Sequence, residues 1–463
     1  MESTKQIDIL ALLKDVLPKE QLLSGDEISE DYGHDEMGTY FHLPDLVVKA
    51  KSTEDVSAVM KVAYAQNIPV VVRGAGTGLV GGSIAVKGGI LIDLSGMNQI
   101  KELDEDNLTL TVDPGVLLMD IKSFTEEKGF FYPPDPGEKS ATIGGNISTN
   151  AGGMRAIKYG VTRDFIRALT VVAPNGDVMH LGGKVVKNSS GYDLKDLVIG
   201  SEGTLGIVTE ATLKLIMLPT VTTSLLIPFE SFEGAIKNVP VILRSGIVPT
   251  AMEFFENNSV KFWEIFTNKV FPEDNHTAYL LLSFDGQTTE EVEGAYEKVA
   301  EICLDNGAED VYVLDDDGQR DTVWTARGAF LEAIKNSTTE MEEADVVVPR
   351  SKIVDFIQFT HDTSKSEAIR IPGFGHVGDG NLHFYICRDD LDDQTWQAKL
   401  NTVFDAMYAE GRKLGGQVSG EHGIGMAKRK YLNLALEDST LNMMRAIKKA
   451  VDPNNILNPE KVI

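Results

Sequence analysis

A short β-forming run, Pro69-Val70-Val71-Val72, passes directly into Arg73-Gly74-Ala75-Gly76-Thr77-Gly78-Leu79-Val80-Gly81-Gly82, and this junction constrains the fold more than any other stretch. Glycine lets backbone N–H groups approach a ligand closely, and successive amides in such a loop form an anion-binding nest suited to a diphosphate. A doubly wound dinucleotide fold would follow its strand with G-x-G-x-x-G and a helix. Counted from Gly74, the third glycine of that motif falls on Leu79, and residues 80–89 are too rich in glycine for the helix. That fold is therefore disfavoured. A plain glycine-rich turn is the rival reading if the loop is taken alone.

From Leu46 onward, strand and helix patterns alternate. An apolar run at 46–50 precedes Ser52 and Thr53, either of which can cap a helix through about Gln66. Strands are expected at 89–94 and 108–112, then a helix at 116–128 with Gly129 as a left-handed cap. Residues 133–153 are dominated by Pro, Gly, Ser and Asn and carry little periodicity. A loop that long inside a compact domain is usually functional. Further strands are expected at 168–173 and 207–215, and the character changes at Leu218-Pro219-Thr220. Residues 224–314 read as paired βαβ-type units, with strands at 225–229, 278–284 and 311–314 and helices near 231–245 and 290–306. A second round runs from a strand at 346–348 through a helix at 352–366 to a strand at 383–386, followed by helices at 394–414 and 439–451. The expected divisions are 1–219, 220–420 and 421–463.

At 463 residues and 42% hydrophobic content the chain can bury the cores of two or more domains. Its 43 Lys+Arg against 70 Asp+Glu give a formal charge of -27, with no basic cluster, which excludes a nucleic-acid binder. A small anionic substrate would need a local basic pocket. Met1-Glu2-Ser3-Thr4-Lys5-Gln6 lacks the pattern of a signal peptide. No apolar run approaches the ~20 residues of a membrane span. The two cysteines, Cys303 and Cys387, fall short of the about four thiolates that hold an iron–sulfur cluster. Any one-electron wire would lie on another protein, and a reducing, cytoplasmic setting is expected.

Two more glycine-dense regions accompany the first. One runs from Pro133-Pro134-Asp135-Pro136 through Ser140-Ala141-Thr142-Ile143-Gly144-Gly145-Asn146 to Asn150-Ala151-Gly152-Gly153; the other is Gly200-Ser201-Glu202-Gly203-Thr204-Leu205-Gly206-Ile207-Val208. Together they suit a long, polar, folded-over cofactor. Farther on, Gly375-His376-Val377-Gly378-Asp379-Gly380-Asn381-Leu382-His383 is answered by Gly420-Glu421-His422-Gly423. A strand–turn–strand would aim both histidines of the first segment at one point. Two imidazoles and a carboxylate suit a borderline divalent metal, and a further imidazole can move a proton. The spacing is not H-E-x-x-H, which disfavours a metalloprotease. Isolated histidines are more often core or surface residues than ligands, but three of the eight fall in these two segments.

With these motifs, and Lys187-Asn188-Ser189-Ser190-Gly191-Tyr192-Asp193-Leu194, the chain resembles the FAD-linked D-2-hydroxy-acid dehydrogenases related to D-lactate dehydrogenase, D-2-hydroxyglutarate dehydrogenase and the glycolate oxidase catalytic subunit. The resemblance extends from Pro44 to Asn458-Pro459. It implies an α+β protein: an FAD-binding domain of the vanillyl-alcohol-oxidase/PCMH type, a ferredoxin-like α+β cap carrying the substrate site, and a C-terminal segment returning to the flavin domain. It also implies that the amides of Arg73, Gly74, Ala75, Gly76 and Thr77 hold the FAD pyrophosphate, with Gly78 also at the cofactor. Pro134, Asp135, Ser140, Thr142, Gly145, Asn146, Ser148, Asn150 and Gly152 would flank the rest of the cofactor, with Gly203, Ile207, Val208 and Asn458. No His or Cys lies between Arg73 and Gly153, so FAD is expected to be bound non-covalently.

By the same resemblance, His376, His383 and Glu421 ligate a divalent metal (zinc, manganese or iron), which ligand type alone does not separate. His422 is the general base. Arg327, in Trp324-Thr325-Ala326-Arg327, clamps the substrate carboxylate, with Arg350 a second candidate. Lys187 and Tyr192 either meet substrate or brace the domain interface. The implied reaction oxidises a short D-2-hydroxy acid, D-lactate to pyruvate foremost, with hydride passing to flavin N5. The electrons would leave to an electron-transfer flavoprotein or an iron–sulfur partner subunit, as in the bifurcating complexes of some relatives. Hydroxyglutarate-specific relatives place a lysine just before the strand at 345–349, whereas Glu340-Met341-Glu342-Glu343-Ala344 has no basic residue and would repel a second carboxylate. The rivals are a glycolate dehydrogenase subunit, an oxygen-using oxidase and a flavin subunit that only relays electrons.

Overall fold

The computed structural model describes residues 8–273 and 275–463. Its first sheet contains β1 (Leu22–Ser24), β2 (Leu46–Lys49), β3 (Val70–Arg73) and β4 (Ile90–Asp93) in the order β1-β2-β4-β3, the last three parallel. Ser52 accepts from Asp55 N to cap the helix Thr53–Gln66, whose Val56, Val59, Met60 and Ala63 are buried against this sheet. Next come β5 (Ile100–Asp104), β6 (Thr109–Val112), β7 (Phe130–Phe131), β8 (Ile166–Val172), β9 (Val178–Gly182), β10 (Ile207–Lys214) and β11 (Ile216–Met217). Five of them form an antiparallel sheet, β5-β6-β10-β8-β9, and β7 pairs with β11. The expected helix at 116–128 spans Leu118–Glu126, and Gly129 has the left-handed φ of 78°. The aperiodic stretch conceals the helix Ile143–Thr149, started by Thr142 and closed by Asn150 at φ 53°. Its paired glycines hid it from propensity arguments.

A single antiparallel sheet dominates the remainder: β12 (Val221–Phe229), β13 (Ala251–Glu256), β14 (Ala278–Gly286), β15 (Tyr312–Leu314), β16 (Met341–Val347), β17 (Gly373–His376) and β18 (Asn381–Cys387). The order is β15-β12-β14-β13-β17-β18-β16. The first four strands therefore run 4-1-3-2, the βαββαβ arrangement of a ferredoxin-like unit. The next three run 2-3-1, and a bridge from Val347 to Gln417 occupies the fourth place. Two ferredoxin-like halves are thus joined edge to edge through β13 and β17. The sequence reading missed β13 and the helix Asn257–Thr267, and began β16 at 346 instead of Met341.

Alternate residues on these strands face opposite sides. Met252, Phe254, Ala344 and Val346 enter the core under the helices Phe232–Arg244, Thr289–Asp305, Ile353–Glu367 and Asp393–Lys413. Glu253, His376, His383, Glu343 and Asp345 occupy the other face on four adjacent strands. Register places Glu253 directly opposite His376 and Asp345 opposite His383. The chain's tail returns to the first sheet: Val70 N donates to Ile456 O (2.7 Å) and Asn458 N donates to Val70 O (2.7 Å). No helix among the described residues is long and apolar enough to cross a membrane.

On the far side of the seven-stranded sheet, His361 Nε2 lies 3.0 Å from Glu256 Oε2, tying the helix Ile353–Glu367 to the end of β13. This hydrogen bond raises the imidazole above its usual value of 6.5. The folded state therefore holds the proton more tightly than the unfolded chain, so the pair stabilises most below that usual value and its contribution is lost as pH rises through the raised one. His361→Gln should lower the thermal midpoint at about pH 6 by the equivalent of less than about 1 kcal/mol and leave it nearly unchanged at about pH 9. Equal losses at both pH values would reject the charged pair.

Candidate active site

The glycine-rich loops meet at one cleft. Residues 74–80, the helix Ile143–Thr149 and residues 202–208 wall one solvent-open cleft, the concave kind of site in which cofactors bind. A Cβ on Gly74 would sit 2.1 Å from Thr142 Oγ1, so only glycine lets the loop close on this helix, while Gly78 faces open space. Asn146 Nδ2 and Asn458 Oδ1 are buried at the wall without hydrogen-bond partners among the described residues. Open amide-lined loops and orphaned polar atoms fit a long polar cofactor of the FAD type.

Of the expected cofactor residues, the wall includes Gly74, Ala75, Gly76, Thr77, Gly78, Thr142, Gly145, Asn146, Ser148, Gly152, Gly203, Ile207, Val208 and Asn458. The others lie off it. The Arg73 guanidinium turns back to His34 O (2.7 Å), Asp135 pairs with Arg155 (3.2 Å), and Ser140 bonds Glu138. Asn150 Oδ1 accepts from Arg163 N (3.0 Å), and Pro134 is buried nearby. Glu138, Leu79 and Glu202, which the sequence reading passed over, do line the cleft.

Glu421 and His422 also line this cleft. Three imidazole Nε2 atoms converge on Glu421 Oε1: His376 at 3.4 Å, His383 at 3.4 Å and His422 at 3.3 Å. His376, His383 and Glu421 offer ligand atoms all within 4.8 Å of one another, and Glu343, His383 and His422 form a second such group. Gly152 brings the flavin-side loop against them, since a Cβ there would lie 2.9 Å from Glu421 Oε2.

Carboxylates grip the imidazoles from behind. His376 Nδ1 is 2.7 Å from Glu253 Oε1, and His422 Nδ1 is 2.7 Å from Glu343 Oε2. Such partners fix the tautomer and aim the Nε2 lone pair forward. His383 Nδ1 has no hydrogen-bond partner among the described residues, its nearest carboxylates being Glu343 (3.6 Å) and Asp345 (3.7 Å). Asp345 organises both loops. Its Oδ1 accepts from Asn381 Nδ2 (2.6 Å), and its Oδ2 accepts from Gly420 N (3.0 Å), Glu421 N (3.3 Å), His422 N (3.3 Å) and Lys428 Nζ (3.3 Å).

Burial takes His383 down to about 4, leaving its ring neutral. Burial opposes charge on His376 too, but Glu253 and Glu421 carry it up to about 10. His422 is likewise held well above the ordinary imidazole range by Glu343 and Asp345 against the pull of burial. Among the described residues the fixed cations paired with Glu253, Glu343, Asp345 and Glu421 are Arg327 and Lys428, so the remaining negative charge is balanced by protons on His376 and His422 or, when those rings are neutral, is left in excess. Uncompensated buried charge is strongly unfavourable. A divalent cation among two imidazoles and a carboxylate would cancel it, and the donor set fits one.

Residues 218–462 match the model of the C-terminal domain of FAD-linked oxidases, and residues 44–182 that of an FAD-binding domain. The chain is 45% identical to a D-lactate dehydrogenase of Anaerostipes hadrus, covering 98% of this chain and 97% of the relative. It is 39% identical to the glycolate oxidase subunit GlcD of Bacillus subtilis, covering 97% of each. The chain belongs to the FAD-linked D-2-hydroxy-acid dehydrogenase family. The structure of p-cresol methylhydroxylase with substrate bound superimposes with a TM-score of 0.79 at 18% identity, covering 98% of this chain and 95% of that one, and shares its fold.

Arg327 is buried in this enzyme. Its Nη2 lies 2.5 Å from Glu253 Oε2, its guanidinium stacks 4.3 Å from the Phe374 ring centroid, and Nε has no hydrogen-bond partner among the described residues. Arg350 Nε instead donates to Gly378 O (2.5 Å) and buttresses the turn between β17 and β18. Tyr192 is 96% exposed and Lys187 is exposed beside it, so neither touches the cleft nor braces an interface in this conformation. Glu253, Asp345 and Lys428 escaped the sequence reading, and Glu343 entered it only as part of a stretch that repels a second carboxylate. The signal was present as acidic residues spaced by two within Met341-Glu342-Glu343-Ala344-Asp345-Val346-Val347, a strand whose polar face is the site.

Proposed function

We propose that this enzyme oxidises a short D-2-hydroxy acid, D-lactate to pyruvate foremost, with FAD in the glycine-rich cleft and a divalent metal ion on His376, His383 and Glu421. The convergence of three imidazole nitrogens on one carboxylate oxygen, on the wall of that cleft, carries the reading. When bound, the flavin supplies the acceptor for the hydrogen and electron pair leaving the α-carbon, and the metal supplies Lewis acidity at the hydroxyl oxygen.

The chain's own residues do the rest. His422 is the one imidazole of the three on the cleft wall, and its Nδ1 is engaged by Glu343. Its Nε2 is therefore the atom placed to take the hydroxyl proton once the ring is neutral, a form that a cation held by His376, His383 and Glu421 would favour, and Glu343 and Asp345 stabilise the imidazolium that forms. Arg327 offers its unpartnered Nε to the substrate carboxylate and is oriented by Glu253 and Phe374. On the site face of β16 stand Glu343 and Asp345 and no basic group for a second carboxylate, which favours a monocarboxylic acid. Cys303 and Cys387 are both buried and on separate elements, so the electrons pass to another protein, an electron-transfer flavoprotein or an iron–sulfur partner subunit.

The similarity to a glycolate oxidase subunit supports glycolate as the second reading. Anaerobic absorbance of the metal-analysed protein, titrated with D-lactate, L-lactate, glycolate and D-2-hydroxyglutarate, separates them. D-lactate should bleach the flavin at the lowest concentration, and a chelator should abolish the bleaching. Bleaching by glycolate alone would select the second reading, and no bleaching by any acid in metal-replete protein would reject both.

A further inference from the structure

Residues 420–427 carry Glu421 and His422, and two buried carboxylates from different parts of the chain hold this stretch. Asp345, on the strand next to that of His383, accepts the amides of Gly420, Glu421 and His422. Glu202, from the glycine-rich loop on the cleft wall, accepts the next amides: Ile424 N on Oε1 at 2.7 Å and Gly425 N on Oε2 at 2.7 Å. Immediately beyond, Val80 O accepts Met426 N at 2.8 Å and Ala427 N at 3.2 Å.

Glu202 is itself rigidly placed. It holds a left-handed φ of 52°, donates its amide to Ser148 O (2.8 Å) and receives Asn458 Nδ2 on its carbonyl (2.7 Å). Ser148 and Asn458 both belong to the cleft wall. The fit against the clamped stretch leaves no slack. A Cβ on Gly423, at φ 85°, would lie 2.9 Å from the Glu202 carboxyl carbon, and one on Gly425, at φ 47°, would lie 2.1 Å from Val80 O. Using both oxygens on consecutive amides fixes the direction of the peptide planes as well as their distance.

We infer that Glu202 is a positioning residue that sets the distance and angle of His422 relative to the flavin cleft, so that the loop walling the cofactor also aligns the base. This rests on the proposed role of His422. Glutamine keeps the shape but offers one acceptor, and its NH₂ group would face one of the two amides.

The test compares wild type with Glu202→Gln and with Gly423→Ala, which disturbs the same contact from the other side. Each purified holoenzyme is assayed for bound flavin, bound metal, hydrogen–deuterium exchange and flavin reduction by D-lactate under anaerobic conditions. Exchange should rise at the amides of 424–425 and stay low at 420–422. Per bound flavin, the limiting reduction rate should fall about 10–10²-fold with KM nearly unchanged, as expected for a misplaced catalytic group. Loss of activity only in proportion to lost flavin would overturn the inference, as would raised exchange at 424–425 with a wild-type limiting rate in either variant. If wild type itself is not reduced by any hydroxy acid, the proposed function fails, and the exchange result alone still reports whether Glu202 holds the segment.

Discussion

His422→Gln is expected to bind FAD and metal as wild type does and to be reduced by D-lactate about 10²–10⁴-fold more slowly, the usual contribution of a positioned base. The expectation follows from how the three imidazoles differ. His376 and His383 are almost wholly enclosed on the strands β17 and β18, whereas His422 lies on the C-terminal stretch and faces the cleft. It stacks on His383 with ring centroids 5.1 Å apart and planes 16° apart, so glutamine can occupy much of its space without opening the site. The amide accepts no proton, and the Glu343 carboxylate behind it then has no imidazolium to stabilise. Anaerobic stopped-flow reduction, with metal analysis on the same sample, measures the effect. Loss of metal in parallel with activity would make His422 a fourth ligand, since its Nε2 is as near Glu421 as the other two. A near-wild-type rate would place the base elsewhere.

The parts of this site that sequence revealed are those that depend on glycine and histidine. The loop at 74–78 and the segments at 375–383 and 420–423 were legible because glycine clusters have few other uses and because His376, His383 and His422 stand among them. The flanking β3, β4 and the helix Thr53–Gln66 were legible from periodicity and the Ser52 cap. What escaped was the machinery behind the imidazoles. β13 and β16 read poorly as strands because Glu253, Glu343 and Asp345 interrupt their apolar runs, and those are the carboxylates that the fold buries behind the imidazoles. Tertiary context overrode local preference where function required charge inside a sheet. The side chain of Arg73 was not legible in the same way: it folds back over Gly76 to brace His34, which leaves the backbone as the part of this residue that could meet a cofactor.

Glu253→Gln should lower affinity for the divalent ion by about 10–100-fold while leaving every direct ligand in place, the typical effect of removing a carboxylate behind a ligating histidine. Glu421→Ala should abolish tight metal binding, and substrate-driven flavin reduction with it. Both follow from one electrostatic argument. Glu253 bridges His376 Nδ1 (2.7 Å) and Arg327 Nη2 (2.5 Å), so it fixes the ring that presents Nε2 and also adds to the excess negative charge that the cation cancels. Glutamine loses that charge and, with its nitrogen toward His376, can no longer accept from Nδ1. Metal titration of chelator-stripped protein, read by thermal midpoint, measures both effects, because an ion bound only to the folded state stabilises it in proportion to RT ln(1 + [L]/Kd). Wild type should gain the most stability per added zinc, manganese or ferrous ion, Glu253→Gln should need about 10–100-fold more, and Glu421→Ala should not respond. Wild-type protein whose midpoint and reduction rate are both indifferent to chelation and re-addition would refute the metal centre and leave the buried carboxylates to be balanced by protons on His376 and His422.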